Sequence, residues 1–191
     1  KGNNEILKLE NISYDFSWKK LFKQLFDNNK FNLTAKTLTN ELKPKLNMHP
    51  APDLLFNAFI LTPFYKTNVV FIGQDPYFDC ENHNGTLVHQ AMGLSFSVPY
   101  GIKIPSSLQN IFNNLLKFKH IKEKPKHGNL EFWAHQGCLM LNTALTVLNG
   151  SENKNCHQHI WEWFTDEVIK YISKNRDHVV FVLWGSYAYS K

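Results

Sequence analysis

Residues 68–98 read NVVFIGQDPYFDCENHNGTLVHQAMGLSFSV, and the first six of them decide the fold class. Val69, Val70, Phe71 and Ile72 form a continuous apolar run of β-branched and aromatic residues, the pattern of a strand buried on both faces of an open α/β sheet. Gly73 ends the run. Gln74, Asp75, Pro76 and Tyr77 then place an amide, a carboxylate and a phenol just beyond the strand's carboxyl end, where open α/β sheets form their ligand crevices. Pro76 fixes its own φ and biases Asp75 toward extended geometry, so the carboxylate stands on a stiff backbone.

Working outward, Cys138, Leu139, Met140 and Leu141 read as a second buried strand and residues 179–184 as a third. Helical patterns alternate with them. Leu108, Ile111, Phe112, Leu115 and Leu116 mark one apolar face, after a cap at Ser106 or Ser107. Asn129 caps a helix that ends at Gly137. Residues 158–174 form a long helix packing Trp161, Phe164, Val168 and Ile172. Upstream, Trp18, Leu21, Phe22, Leu25 and Phe26 give an apolar helix face behind a Ser17 cap, and Leu33, Leu38 and Leu42 a second one ending before Pro44. Pro52 and Asp53 open a helix running through Ile60. Strands alternating with helices imply an α/β three-layer sandwich with a central, mostly parallel, doubly wound sheet flanked by helices. The division expected is an N-terminal helical extension over residues 1–48 and a catalytic domain over 49–191.

Bulk properties bound the function. A chain of 191 residues with 43% hydrophobic composition is enough for one full core. Residues 179–184, the longest apolar run, are too short to cross a bilayer, and residues 1–10 lack the apolar block of a signal peptide, so an intracellular protein with no membrane partner is expected. Three cysteines, Cys80, Cys138 and Cys156, are too few and uneven for a disulfide framework and fit a reducing compartment. The net charge of +5 permits a polyanionic partner. Lys119, His120, Lys122, Lys124 and Lys126 cluster in one short span, a pattern most often found in a solvated loop.

Five ordered motifs carry a resemblance. Gly73-Gln74-Asp75-Pro76-Tyr77 and Gly93-Leu94-Ser95-Phe96-Ser97-Val98 resemble the water-activating loop and the uracil-stacking segment of family 1 uracil-DNA glycosylases. Pro105-Ser106-Ser107-Leu108, Leu139-Met140-Leu141-Asn142 with Leu145-Thr146-Val147, and Leu183-Trp184-Gly185-Ser186-Tyr187-Ala188 follow in the family's order. The resemblance implies a DNA repair enzyme that flips uracil out of DNA and hydrolyses its N-glycosidic bond, leaving an abasic site in base excision repair. It implies no cofactor. It further implies a monomer acting on uracil-containing DNA, single- or double-stranded, and proteinaceous glycosylase inhibitors as a second class of partner. The alternative is a catalytically weak or inactive DNA-binding or polymerase accessory module on the same fold. No G-x-G-x-x-G or P-loop supports a nucleotide-binding enzyme instead.

The residue types suit that chemistry. Breaking an N-glycosidic bond builds positive charge on the sugar and negative charge on the departing base. A carboxylate such as Asp75 is able to stabilise the first and orient the attacking water, although alone it also reads as a turn residue before proline. Asn142 presents an amide acceptor and donor that match N3–H and O4 of uracil and mismatch cytosine, while a strand-end asparagine bonding its own turn is the plainer reading. By resemblance Tyr77 stands against C5 of the base and excludes thymine, and Phe96, otherwise an ordinary core residue, stacks on the flipped ring. By resemblance Gln74 contacts the uracil carbonyl through its backbone, and Pro105, Ser106, Ser107 and Ser186 pinch the DNA phosphates.

Three departures from the family pattern stand out. Phe78 follows Tyr77 where histidine is common, which removes any water positioning by that imidazole. Residues 78–92 form a longer loop, expected as a surface excursion beside the DNA groove. It carries Cys80, His83 and His89, which with Cys156, His157 and His159 match no structural zinc spacing, so no metal is expected. Family members continue into a His-Pro-Ser-Pro-Leu segment, whose histidine stabilises the uracil anion. The sequence ends at Lys191 without one, so a C-terminally truncated catalytic domain is expected, with severely reduced activity in a protein that truly ends there.

Overall fold

The structure, a computed structural model, describes residues 8–41, 48–184 and 186–189. Strand β2 (Val69–Gly73) lies in the middle of a parallel three-stranded sheet, with β5 (Cys138–Asn142) on one side and β7 (Val180–Leu183) on the other. In register, Gly73 stands opposite Asn142 and Ile72 opposite both Leu141 and Leu183. A central strand whose successors cross to either side is the doubly wound arrangement that the alternating pattern implies. β1 (Met48–His49) pairs antiparallel with β6 (Val147–Leu148).

Helices cover both faces. Phe71 points to one face, where its ring meets Trp133 of α5 (Glu131–His135) at 6.1 Å and Trp184 at 5.3 Å. Val70 and Ile72 alternate to the other face and join a core containing Phe56, Phe59 and the four predicted apolar residues of α6 (Gln158–Asn175), all buried. Phe56 stacks on Phe164 at 5.8 Å, and Phe22 meets Phe56 and Phe59 edge-on at 5.0 and 5.2 Å. Phe22 belongs to α1 (Lys19–Phe26), and α2 (Asn29–Glu41) follows it. Residues ahead of β1 therefore supply Leu9, Trp18, Leu21, Phe22, Leu25, Phe31 and Leu38 to the same core as the sheet. Trp18 is also tied down by its indole N–H, which donates to the Thr62 carbonyl at 2.8 Å.

Several local expectations change. Asp15, not Ser17, caps the first helical segment: its carboxylate accepts from the Ser17 N–H at 2.9 Å and also binds the Ser17 hydroxyl, whose oxygen in turn accepts from the Phe64 N–H. Leu42 lies outside the described residues. The helix expected over 52–60 is broken into a 3₁₀ turn (Pro52–Leu54) and α3 (Asn57–Leu61), because Phe56 leaves helical geometry at φ −105° and ψ 24° to join the core. Pro105 occupies the cap position of α4 (Ser106–Lys117) without a side-chain bond, so Ser106 and Ser107 are first-turn residues rather than caps. Asn129 does cap, its Oδ1 accepting from the Glu131 N–H at 2.9 Å, and Gly137 at φ +98° follows the end of α5. The excursion over 78–92 contains a hairpin of β3 (Cys80–His83) and β4 (Thr86–His89). Its turn residues Asn84 and Gly85 both have positive φ, as a type I′ turn requires. No described helix is long and apolar enough to cross a membrane.

Candidate active site

Two strand ends create the site. Leaving β2 at Gly73 and β5 at Asn142, the chain is cross-linked by three bonds: the Thr143 N–H and hydroxyl donate to the Gly73 carbonyl at 2.9 and 2.8 Å, and the Ala144 N–H donates to the Gln74 carbonyl at 3.0 Å. The turn carrying Asp75 is thereby held to the turn following Asn142. Between them opens a cavity of about 390 Å³, within the range of small-ligand sites. Gln74, Asp75, Tyr77, Phe96 and Asn142 line it together, joined by Ser106 and Ser107 at the start of α4. A larger groove of about 700 Å³ is lined by the α1–α2 turn, α2 and α6 alone, and no strand end opens into it.

Each side chain has a visible means of placement. Asp75 is half-buried, and its Oδ2 accepts from the Asn155 N–H at 3.1 Å. Burial pushes its carboxyl above the ordinary aspartate range, while the Asn155 bond and the Lys154 charge pull the other way. The Tyr77 hydroxyl is fixed between the Ser107 hydroxyl at 3.0 Å and the Phe96 carbonyl, to which it donates at 3.4 Å. Its burial raises the phenol's pKa, so the ring stays neutral and keeps its hydrogen to donate. Phe96 has a positive φ of 64°, a strained backbone conformation for a phenylalanine, and its ring sits edge-on to Trp184 at 5.2 Å. Among the described residues the Asn142 amide has no hydrogen-bond partner, so both its donor and its acceptor remain for a ligand. Gly73 makes room for it: a Cβ there would lie 2.2 Å from Asn142 Oδ1.

Of the predicted site residues, the structure gathers Gln74, Asp75, Tyr77, Phe96, Asn142, Ser106 and Ser107 around one hollow, with Pro105 adjoining as the cap residue of α4. Ser186 begins the short helix α7 (Ser186–Tyr189); its side chain and Gly185 lie outside the described part. Residues 59–191 match the sequence model of the Uracil DNA glycosylase superfamily. The chain is 44% identical to the uracil-DNA glycosylase of Campylobacter hominis over 97% of its own length and 74% of that protein's. It is 45% identical to that of Borreliella burgdorferi over 94% and 77%. The crystal structure of mimivirus uracil-DNA glycosylase superposes with a TM-score of 0.89 at 37% identity, over 96% of this chain and 64% of that one.

This chain belongs to the uracil DNA glycosylase superfamily. Uracil-DNA glycosylase relatives at this identity also carry the fold, so the sandwich inferred from the strand pattern is the family's own. Another mimivirus structure of this family is a variant in complex with UGI. Three contributors to the site escape a reading of the family motifs: Gly73 as the space beside Asn142, the Asn155 N–H on Asp75, and Ser107 as the anchor of Tyr77. In the sequence Gly73 reads as a strand terminator and the head of the first family motif, not as the space Asn142 needs. Nothing in the polar sequence around Asn155 marks it, since its bond to Asp75 spans 80 positions.

Proposed function

We propose that this protein is a monofunctional uracil-DNA glycosylase, which extrudes uracil from DNA, hydrolyses its N-glycosidic bond, and releases free uracil from an abasic site. The observation that carries the reading is that Asp75 and Asn142, from two different strand ends, open into one base-sized cavity with Tyr77 and Phe96. Asn142 reads the amide edge, accepting from N3–H and donating to O4; cytosine would leave both groups unpaired. The Phe96 ring provides a stacking face, and Tyr77, held by Ser107, blocks a C5 methyl group. Asp75 faces the sugar, where its negative charge stabilises the oxocarbenium-like centre and aligns the water that attacks it. Burial makes that carboxylate more basic and so a better acceptor of the water's proton. The Pro105-Ser106-Ser107 turn and Ser186 contact the phosphates flanking the extruded nucleotide. The protein acts as a monomer on uracil-containing DNA, in whatever compartment holds that DNA, and inhibitor proteins compete for the same face.

The test uses full-length protein and a uracil-containing single strand, scoring abasic sites. Asp75→Asn is expected to lower kcat by about 10²–10⁴-fold. Equal cleavage by both proteins would remove Asp75 from the mechanism. Tight binding without any cleavage by the wild type would favour the accessory-module reading.

A further inference from the structure

A second constellation lies outside the catalytic cavity, where the hairpin meets β1. Cys80 and His89 are directly opposite each other in the β3–β4 ladder, so their side chains share one face. His49 of β1, almost fully buried, faces them: its Nδ1 is 2.8 Å from Nδ1 of His89, and the ring centroids are 4.5 Å apart. One ligand atom from each of the three residues lies within 4.8 Å of the other two. We propose that His49, Cys80 and His89 form a zinc-binding site that fastens the hairpin to β1.

The donor set is the first support. Two imidazole nitrogens and one thiolate are the ligands that borderline-soft Zn²⁺ takes in tetrahedral sites, and they suit calcium or magnesium poorly. Zinc–nitrogen and zinc–sulfur lengths of about 2.0–2.3 Å put tetrahedral ligand atoms roughly 3.3–3.6 Å apart, so small side-chain rotations convert the present cluster. Tautomers supply the second support. His49 Nε2 lies 3.3 Å from Asn149 Oδ1; with that oxygen as the acceptor, Nε2 carries the hydrogen and Nδ1 offers its lone pair toward the cluster. An outer partner orienting a histidine in this way is the usual companion of a metal ligand. In that tautomer of His49, the 2.8 Å contact between the two Nδ1 atoms has His89 as the donor. On binding, the His89 hydrogen moves to Nε2, the Cys80 thiol loses its proton to solvent, and Zn²⁺ accepts three electron pairs, with one proton released. Asp79 adjoins Cys80 in the chain. The thiolate offsets part of the cation's charge, and the fourth position falls to a water. His83, although on β3, is not part of the cluster; it packs against Gly101.

The consequence is structural. Cys80 follows Asp75 by five residues, so a metal here anchors the segment leaving the catalytic turn. The test uses full-length, tag-free protein equilibrated with Zn²⁺ alone and freed of excess, then with Co²⁺ as a coloured substitute. One zinc per chain is expected, with a thiolate-to-cobalt charge-transfer band that Cys80→Ser abolishes and Cys156→Ser retains. His89→Ala should weaken affinity at least tenfold. Circular dichroism and Tm of Cys80→Ser in EDTA should equal those of the wild type in EDTA, which separates ligand loss from misfolding. Failure of the wild type to retain stoichiometric zinc, or a band that persists in Cys80→Ser, would overturn the proposal. Neither result bears on uracil excision, which does not route through this site.

Discussion

Gly73 has no side chain because Asn142 occupies the space one would need. A β-carbon there would also come within 2.9 Å of Ser95 Cβ, so Gly73→Ala forces the amide out of its position. Displacements near 1 Å at a reading group cost on the order of 10²-fold in rate. We predict that Gly73→Ala loses about that much in kcat/KM for uracil excision; unchanged excision would show that Asn142 needs no such room. Asp75 makes a separate prediction through its titration. In the proposed mechanism Asp75 acts as the ionised carboxylate, so activity should fall as pH drops through its pKa, which burial moves up. The acid limb of kcat/KM should therefore lie above the ordinary aspartate value of about 3.9 and vanish in Asp75→Asn. An acid limb at or below that value would contradict the assigned environment.

The hairpin shows what a single element adds. Its Asn84-Gly85 turn carries the strongest short-range hairpin signal a sequence offers, yet the flanking segments Cys80–His83 and Thr86–His89 lack the apolar alternation that announces strands. Only Leu87 and Val88 are strongly apolar, and Leu87 is 68% exposed. The hairpin is held instead by polar docking: Glu81 accepts from the Lys103 N–H at 3.2 Å and from the Gln90 side chain at 2.6 Å. Gly85 has φ +80°, which an alanine adopts at a cost of about 1–2 kcal/mol. Gly85→Ala should accelerate amide exchange across β3 and β4 while leaving β2 and β5 protected. Uniform protection would mean the hairpin opens only with the whole molecule. Helix α6 is the opposite case. Its bounds and its buried face were both legible, because Trp161, Phe164, Val168 and Ile172 repeat at helical spacing over a long stretch and all face the core.

Across the whole molecule, the segment before β1 packs its side chains into the same core as the sheet. Phe22 is fully buried and touches Phe56, Phe59 and Phe164, which carry the core from α1 through α3 to α6. Removing such a side chain leaves a cavity that costs about 3–5 kcal/mol. Phe22→Ala should lower stability by that amount in a single cooperative denaturant transition, read with probes on both α1 and the sheet. Two separate transitions would make the N-terminal helices an independent unit.

The linear order of residues was sufficient for the strand before Gly73, the acid turn after it, the chain of family motifs and the alternating layers. Each is a local pattern of hydrophobicity or turn chemistry that a few neighbouring residues express. Folding alone brought Asn155 to Asp75 and Ser107 to Tyr77, and gathered His49 with Cys80 and His89. Those contacts join residues 30 to 80 positions apart, and strand register and packing, which no local periodicity encodes, bring them within a few ångströms.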